Sequence, residues 1–75
     1  MEILSKRLKE LRQSNAETQK NVAKSIEISE RRYIDLETGK STPYADTLIK
    51  ICKYFNVSAD YLLGLSDIKE RRRES

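Results

Sequence analysis

The feature that most constrains this chain is a pair of short helical segments packed into Thr18–Gly39. The first is predicted over about 19–26 and the second over about 30–37. Each follows a hydroxyl residue suited to N-cap a helix, Thr18 and Ser29. Because only about three residues separate the segments, the two helices must cross at a steep angle, so a compact helix-turn-helix unit is expected here.

Apolar residues recur at helical spacing along the rest of the chain, and no stretch alternates as a strand would. A first helix is predicted over about 2–14, a fourth around residues 48–55, and a short fifth from the Ser58 cap to about Leu63. Their apolar stripes are formed by Leu4, Leu8 and Leu11, and by Leu48, Ile51, Cys52 and Phe55. The sequence therefore predicts a compact all-α fold of five helices.

The size and charge of the chain limit its class. Seventy-five residues correspond to one domain, which we assign to residues 1–66, followed by a charged, frayed tail over 67–75 that contains Arg71-Arg72-Arg73. The net charge is +3, but residues 69–75 carry +2 of it, so the body of the domain is nearly neutral. Any basic surface for nucleic acid must therefore come from local clustering.

The location of the protein can be inferred only indirectly. No stretch is apolar enough to cross a membrane, and the first residues do not resemble a signal peptide. The one cysteine, Cys52, cannot form an intramolecular disulfide and lies on an apolar stripe, where a core position is expected. A cytoplasmic protein is the simplest interpretation.

The second helix of the unit would turn a polar face outward, formed by Glu30, Arg31, Arg32, Asp35 and Thr38. In a helix-turn-helix, this N-terminal end of the second helix enters the DNA major groove. Arginine can bond guanine through two atoms, and a carboxylate can accept from cytosine. The alternative, a merely solvated helix face, is about equally compatible with this composition alone.

The spacing of the whole segment resembles the phage repressor and Cro family of helix-turn-helix domains. The resemblance covers about residues 4–65 and is carried by Leu8, Leu11-Arg12, Thr18-Gln19, Val22-Ala23, Ile28-Ser29, Leu36-Glu37-Thr38-Gly39-Lys40, Pro43, Thr47-Leu48, Ile51 and Val57-Ser58-Ala59-Asp60-Tyr61-Leu62-Leu63. It implies a five-helix domain that binds double-stranded DNA, usually as a homodimer on a palindromic operator.

The resemblance also assigns roles by position. It implies that Gln19 touches the backbone or an outer base, and that Glu30, Arg31 and Asp35 face the bases. It implies that Arg32, Lys40 and Thr42 contact phosphates. The predicted DNA-binding set is Gln19, Lys20, Ser29, Glu30, Arg31, Arg32, Asp35, Thr38, Lys40 and Thr42.

The resemblance further implies a partly buried salt bridge between Arg12 and Glu37, which would join the first helix to the end of the third. Three positions depart from the family pattern. Glu27 stands where the turn commonly has glycine, so a left-handed backbone there would be mildly strained. Glu17 replaces an apolar residue, and Tyr44 replaces the usual cap that follows the proline.

A homodimer requires a surface for the second subunit. Val57, Tyr61 and Leu65 are candidates for an exposed apolar patch at the C-terminal end, with ordinary core closure as the equal alternative. A dimer formed there would place two recognition helices about 34 Å apart, which is one turn of DNA.

The leading functional hypothesis is a small sequence-specific DNA-binding regulator: a phage-type repressor, a restriction–modification controller or an antitoxin. The alternative is a protein-interaction module built on the same fold. An enzyme is disfavoured, since the chain has no histidine, no glycine-rich phosphate loop and no paired catalytic residues. No cofactor or metal is expected.

Overall fold

The computed structural model describes residues 2–70, which form five α-helices and no β-strand. The helices are α1 (Glu2–Ser14), α2 (Gln19–Ser25), α3 (Glu30–Thr38), α4 (Ala45–Phe55) and α5 (Ala59–Leu62). The all-α prediction with five helices is thus confirmed, and each predicted helix boundary lies within a few residues of the observed one. In this range, no helix has both the length and the apolar character needed to span a membrane.

Hydroxyl side chains begin three of the helices. Thr18, Ser29 and Ser58 each accept a hydrogen bond from the backbone N–H three residues further on, at 3.0–3.1 Å. These bonds satisfy N–H groups that have no partner within the helix. The α4 helix differs, because Tyr44 occupies its N-cap position without forming a side-chain cap bond.

Left-handed backbone conformations mark the corners between helices. Gly39 ends α3 with a φ of 80°, where the absence of a Cβ makes this geometry inexpensive. Glu27, in the turn between α2 and α3, has a φ of 63°. That value is the left-handed conformation for which the sequence predicted mild strain. The tight turn is therefore built despite an unfavourable residue.

The core lies beneath the helix-turn-helix unit, with α3 packed against both α2 and α1, and α5 against α1 and α4. Its fully buried side chains come from all five helices and the α2–α3 turn. They include Leu8, Val22, Ile26, Tyr33, Leu36, Ile51 and Leu62. This packing holds the inner side of α3 and leaves its opposite side facing solvent. The position of the predicted recognition helix is therefore set by the core.

The chain after α5 folds back onto the start of that helix. The Ser58 N–H donates to the Lys69 carbonyl at 2.8 Å, and Val57 forms an isolated antiparallel bridge with Glu70. The Arg7 side chain of α1 donates to the carbonyls of Tyr61 and Ser66. Residues 67–70 thus lie against the domain, while the predicted Arg71–Arg73 run lies outside the described residues. The predicted boundary at residue 66 stays a prediction.

These contacts correct the expected apolar patch. Val57 and Tyr61 are only 3% and 7% exposed and belong to the core, whereas Leu65 is 75% exposed. The Arg7 guanidinium lies over the Tyr61 ring, 4.2 Å from its centroid, and covers it. Core closure, the alternative weighed from the sequence, therefore describes Val57 and Tyr61. Cys52 is buried, as expected from its apolar stripe.

Candidate nucleic-acid interface

The two sides of α3 have different surroundings. Tyr33, Leu36 and Glu37 are buried against the rest of the domain. Glu30 and Arg31, on the first turn, are exposed. The predicted recognition helix therefore presents its N-terminal turn to solvent while its inner side is fixed.

An ion pair joins Arg12 of α1 to Glu37 on the inner side of α3. The Arg12 Nε lies 2.6 Å from Glu37 Oε2, and its Nη2 lies 3.1 Å from Oε1, so the contact is bidentate. The Glu37 side chain is only 2% exposed and that of Arg12 14%. These are the two residues for which a partly buried salt bridge was expected. The pair fixes the end of α3 relative to α1.

Two further hydrogen bonds extend this ion pair to α2. Gln19 Nε2 donates to Glu37 Oε1 at 3.2 Å, and Arg12 Nη1 donates to the Glu17 carbonyl at 2.9 Å. The predicted DNA-contacting residue Gln19 therefore directs its amide N–H inward. We call Arg12, Glu17, Gln19 and Glu37 the inner network. It connects the end of α1, the start of α2 and the end of α3.

The inner network also changes the pKa values of Glu37 and Arg12 and of the neighbouring Tyr33. Burial alone would raise the pKa of Glu37, but hydrogen bonds, first from Arg12, lower it below its ordinary value. The hydrogen bond to Glu37 raises the pKa of Arg12. Burial, followed by the neighbouring Glu37 carboxylate, raises the pKa of Tyr33. At neutral pH the pair is therefore fully ionised and Tyr33 is neutral.

The outer surface of the unit carries a mixed set of charges. Lys20 at the start of α2, Arg31 on α3 and Lys40 after α3 are all exposed. Glu30 is exposed among them, and Asp35 is half-buried. Cations thus outnumber carboxylates here only modestly. Such a surface attracts DNA weakly overall and can still discriminate locally between donors and acceptors.

The side-chain hydroxyls of Ser29 and Thr38, which are predicted to contact DNA, already form hydrogen bonds within the protein. The Ser29 Oγ accepts the α3 cap bond, and the Thr38 Oγ1 donates to the Ile34 carbonyl at 2.9 Å. Both residues remain exposed. Their oxygens can therefore accept a further hydrogen bond, but the Thr38 proton is already used.

The loop after α3 returns along that helix. The Thr42 carbonyl accepts a hydrogen bond from Arg32 Nη2 at 3.3 Å, although Arg32 lies on the first turn of α3. The structure thus brings the Thr42 carbonyl beside the N-terminal turn of α3. Arg32, Thr42 and the exposed start of α3 form one continuous surface.

Tyr44 joins this surface, and the sequence reasoning did not assign it to the site. Its ring is 71% exposed and lies 4.6 Å from the Arg32 guanidinium carbon. The signal for it was present in the sequence, because an aromatic residue after Pro43 departs from the usual N-cap. What the sequence lacked was the path of the loop, which sets the ring beside α3.

This surface combines guanidinium and ammonium donors, carboxylate acceptors and hydroxyl oxygens on one exposed helix and its flanking loop. These groups match base edges and phosphates. Within residues 2–70, no group of three or more possible metal ligands occurs.

Comparison with known proteins agrees with this geometry. A family model described as a helix-turn-helix domain matches residues 5–68. The chain is 40% identical over 68 residues to the HTH-type transcriptional regulator ImmR of Bacillus subtilis (strain 168), which covers 91% of this chain and 54% of that protein.

A second relative is the uncharacterized HTH-type transcriptional regulator YobD of the same organism. It is 34% identical over 61 residues, covering 81% of this chain and 54% of that protein. The chain thus spans about half the length of these curated relatives. No solved structure matches it significantly.

Proposed function

The chain belongs to the XRE-type helix-turn-helix family, and from this premise we propose that it regulates transcription by sequence-specific binding to double-stranded DNA. The observation that carries the proposal is the asymmetry of α3. Its inner side is fixed by Leu36 and the Arg12–Glu37 pair, and its first turn presents Glu30 and Arg31 to solvent. A rigid helix with a polar, exposed N-terminal turn suits insertion into the major groove.

Base readout is assigned to Glu30, Arg31 and Asp35. Arg31 can donate two hydrogen bonds to O6 and N7 of guanine, and Glu30 can accept from N4 of cytosine. Lys20 precedes α3 in the chain and Lys40 follows it. Both are exposed, and we assign both to phosphate contacts. Gln19 can contact DNA through its amide oxygen, because its N–H is directed to Glu37.

The near-neutral body of the domain suggests that a single subunit binds DNA weakly. A homodimer on a palindromic operator doubles the contacts and explains how a surface with few cations can reach useful affinity. We propose that the protein acts in this form as a cytoplasmic repressor. A repressor needs only to occupy its operator, and helix-turn-helix surface chemistry suffices for that.

The second subunit is assigned to an open groove between α4 and the start of α5. Its walls include Leu48, Ile49, Lys53, Val57 and Asp60. Ile49, on the rim of the groove, is 54% exposed and gives the groove an apolar side chain that a second subunit could cover. Lys53 and Asp60 have opposite charges, so each can pair with the other across a two-fold axis. Leu65, exposed as predicted, remains a candidate contact.

Selection of bound sequences from random duplex DNA tests the proposal directly. We expect enrichment of a palindrome whose half-sites lie about 10 base pairs apart. Binding should also weaken steeply with salt, because phosphate contacts release counterions. Enrichment of no sequence, with binding insensitive to salt, would instead favour a protein-interaction module.

Sedimentation of the free protein tests the dimer separately. We expect Ile49→Glu to shift the protein toward monomer and to weaken operator binding, while its binding to a single half-site stays unchanged. Ile3→Glu is the control, at an aliphatic residue on α1 that is 37% exposed and lies outside the groove. A monomer–dimer equilibrium unaffected by Ile49→Glu would place the subunit interface elsewhere.

A further inference from the structure

Tyr44 is a large aromatic side chain that the fold leaves in solvent at the start of α4. It is 71% exposed and is the N-cap of α4, yet it forms no cap hydrogen bond. In contrast, α2, α3 and α5 all begin with a hydroxyl that does. The N–H that such a cap would bond, that of Thr47, donates instead to Asp46 Oδ1 at 2.9 Å. The start of α4 is therefore satisfied without Tyr44, and its exposed ring needs an explanation other than helix stability.

The Tyr44 ring covers one face of the Arg32 guanidinium. The guanidinium carbon lies 4.6 Å from the ring centroid, within the range of a cation–π contact. Arg32 Nη2 also donates to the Thr42 carbonyl at 3.3 Å. A guanidinium has five N–H donors, so these two contacts orient it and leave donors for a ligand. An oriented arginine loses less conformational entropy when it binds.

The location of this pair limits what the ligand can be. Arg32 lies on the first turn of α3, which is the turn that presents Glu30 and Arg31 for base readout. The loop that carries Thr42 and Tyr44 runs beside that turn, at the edge of the proposed DNA surface. A planar guanidinium at the edge of a groove-inserted helix suits the oxygens of a backbone phosphate.

We propose that Tyr44 is a positioning residue that holds Arg32 against one phosphate of duplex DNA. The inference rests on the proposed DNA-binding function and adds to it a residue outside the helix-turn-helix unit. Tyr44 acts through Arg32, so its ring matters more than its hydroxyl. The residue at the N-cap position of α4 thereby orients an arginine that contacts DNA.

The test uses a mixed-sequence duplex about three helical turns long, because a phosphate contact does not depend on base sequence. Tyr44→Leu is expected to weaken binding about 2- to 5-fold, the equivalent of one exposed cation–π contact. Tyr44→Phe, which keeps the ring, should bind like the unchanged protein.

Tyr44→Ser separates this role from a structural one. It offers a hydroxyl cap where Asp46 already accepts from the Thr47 N–H, so the melting temperature should be maintained while DNA binding weakens as in Tyr44→Leu. A loss of affinity without a loss of stability cannot result from partial unfolding. A parallel loss of both would overturn the inference, because Tyr44 would then act only through stability.

A double-mutant cycle tests whether Tyr44 acts through Arg32. Arg32→Ala should weaken binding and reduce the slope of log K against log salt by about 1. In the Arg32→Ala variant, Tyr44→Leu should have no further effect on binding, since the two substitutions act on the same phosphate contact. Independent effects would overturn the positioning role.

The outcomes also separate this inference from the proposed function. If the unchanged protein binds duplex DNA and Tyr44→Leu binds equally well, only the role of Tyr44 is overturned. If the unchanged protein fails to bind duplex DNA at low salt, the proposed function fails and the inference fails with it.

Discussion

The inner and outer sides of α3 use the same kinds of residue for opposite purposes. On the inner side, Glu37 is buried and its charge is matched by Arg12 through two hydrogen bonds. On the outer side, Glu30 and Arg31 are exposed on the first turn of the helix. Both sides contain carboxylates and guanidinium groups. Burial, and not residue type, therefore separates the charges that hold the fold from those available to a ligand.

The difference has an energetic basis. A carboxylate removed from water must be matched locally, and removing its partner leaves an uncompensated charge in the interior. An exposed charge is solvated in either case, so its loss has little effect on folding. The inner side is therefore expected to control stability and the outer side DNA binding. Four predictions test this division, in order of decreasing effect.

The largest effect is expected from Arg12→Ala. It leaves Glu37 with a side chain 2% exposed and no cation beside it, so the free energy of unfolding should fall by about 2–4 kcal/mol. Thermal or urea unfolding measures this change. Arg31→Ala, an exposed arginine on α3, is the control and should change stability by less than about 0.5 kcal/mol. Equal effects of the two substitutions would contradict the division.

The outer side is tested by DNA binding. Arg31→Ala should lose about 1–3 kcal/mol of discrimination at particular base pairs. Lys40→Ala should weaken binding to all sequences alike and reduce the salt slope by about 1. Competition with point-substituted operators distinguishes the two patterns. If both variants weaken all sequences equally, Arg31 is a phosphate contact and not a base contact.

Acid should destabilise the inner side. Because Arg12 holds the pKa of Glu37 below its ordinary value, ionisation of this carboxylate favours the folded state. The stabilisation is complete above the ordinary pKa of glutamate and is lost as the pH falls through the lowered pKa. The free energy of unfolding should therefore decrease on acidification. This decrease should be smaller than the loss of stability that Arg12→Ala causes at neutral pH. The slope of this decrease should be shallower in Glu37→Gln, which removes the titrating carboxylate.

The smallest effect is expected in the turn between the two helices. Glu27 has a φ of 63°, so Glu27→Gly should raise the free energy of unfolding by about 0.5–1 kcal/mol. The substitution also removes an ion pair with Lys50 at 3.2 Å, but both side chains are exposed and the pair contributes little. Lys50→Ala isolates that contribution. If Glu27→Gly lowers stability and Lys50→Ala lowers it by the same amount, the exposed ion pair contributes more to stability than the division between buried and exposed charges predicts.

The parts of the fold that sequence predicted are those set by neighbouring residues. The hydroxyl caps Thr18, Ser29 and Ser58 act over three residues, and Gly39 ends α3 through its own backbone freedom. Such signals are legible in a single chain because they need no knowledge of tertiary packing. The division of α3 into two sides followed from the same local periodicity.

The parts that sequence did not predict depend on contacts between distant residues. Tyr61 is buried because Arg7, 54 positions earlier, stacks on its ring and bonds to its carbonyl. Gln19 turns an N–H inward because Glu37 lies beside it only after α2 and α3 have packed. Tyr44 reaches Arg32 because the loop after α3 doubles back. No local pattern encodes these approaches.

The inner network has a consequence for how such a protein can change over evolution or in the laboratory. Since buried residues fix the inner side of α3 and Ser29 caps its start, the side chains of Glu30 and Arg31 contribute little to folding. A library randomised at Glu30 and Arg31 should yield mostly folded variants, and selection could then redirect the protein to new operators. Within this one nine-residue helix, the first turn could then change the DNA sequence that is bound while the buried residues keep the fold unchanged.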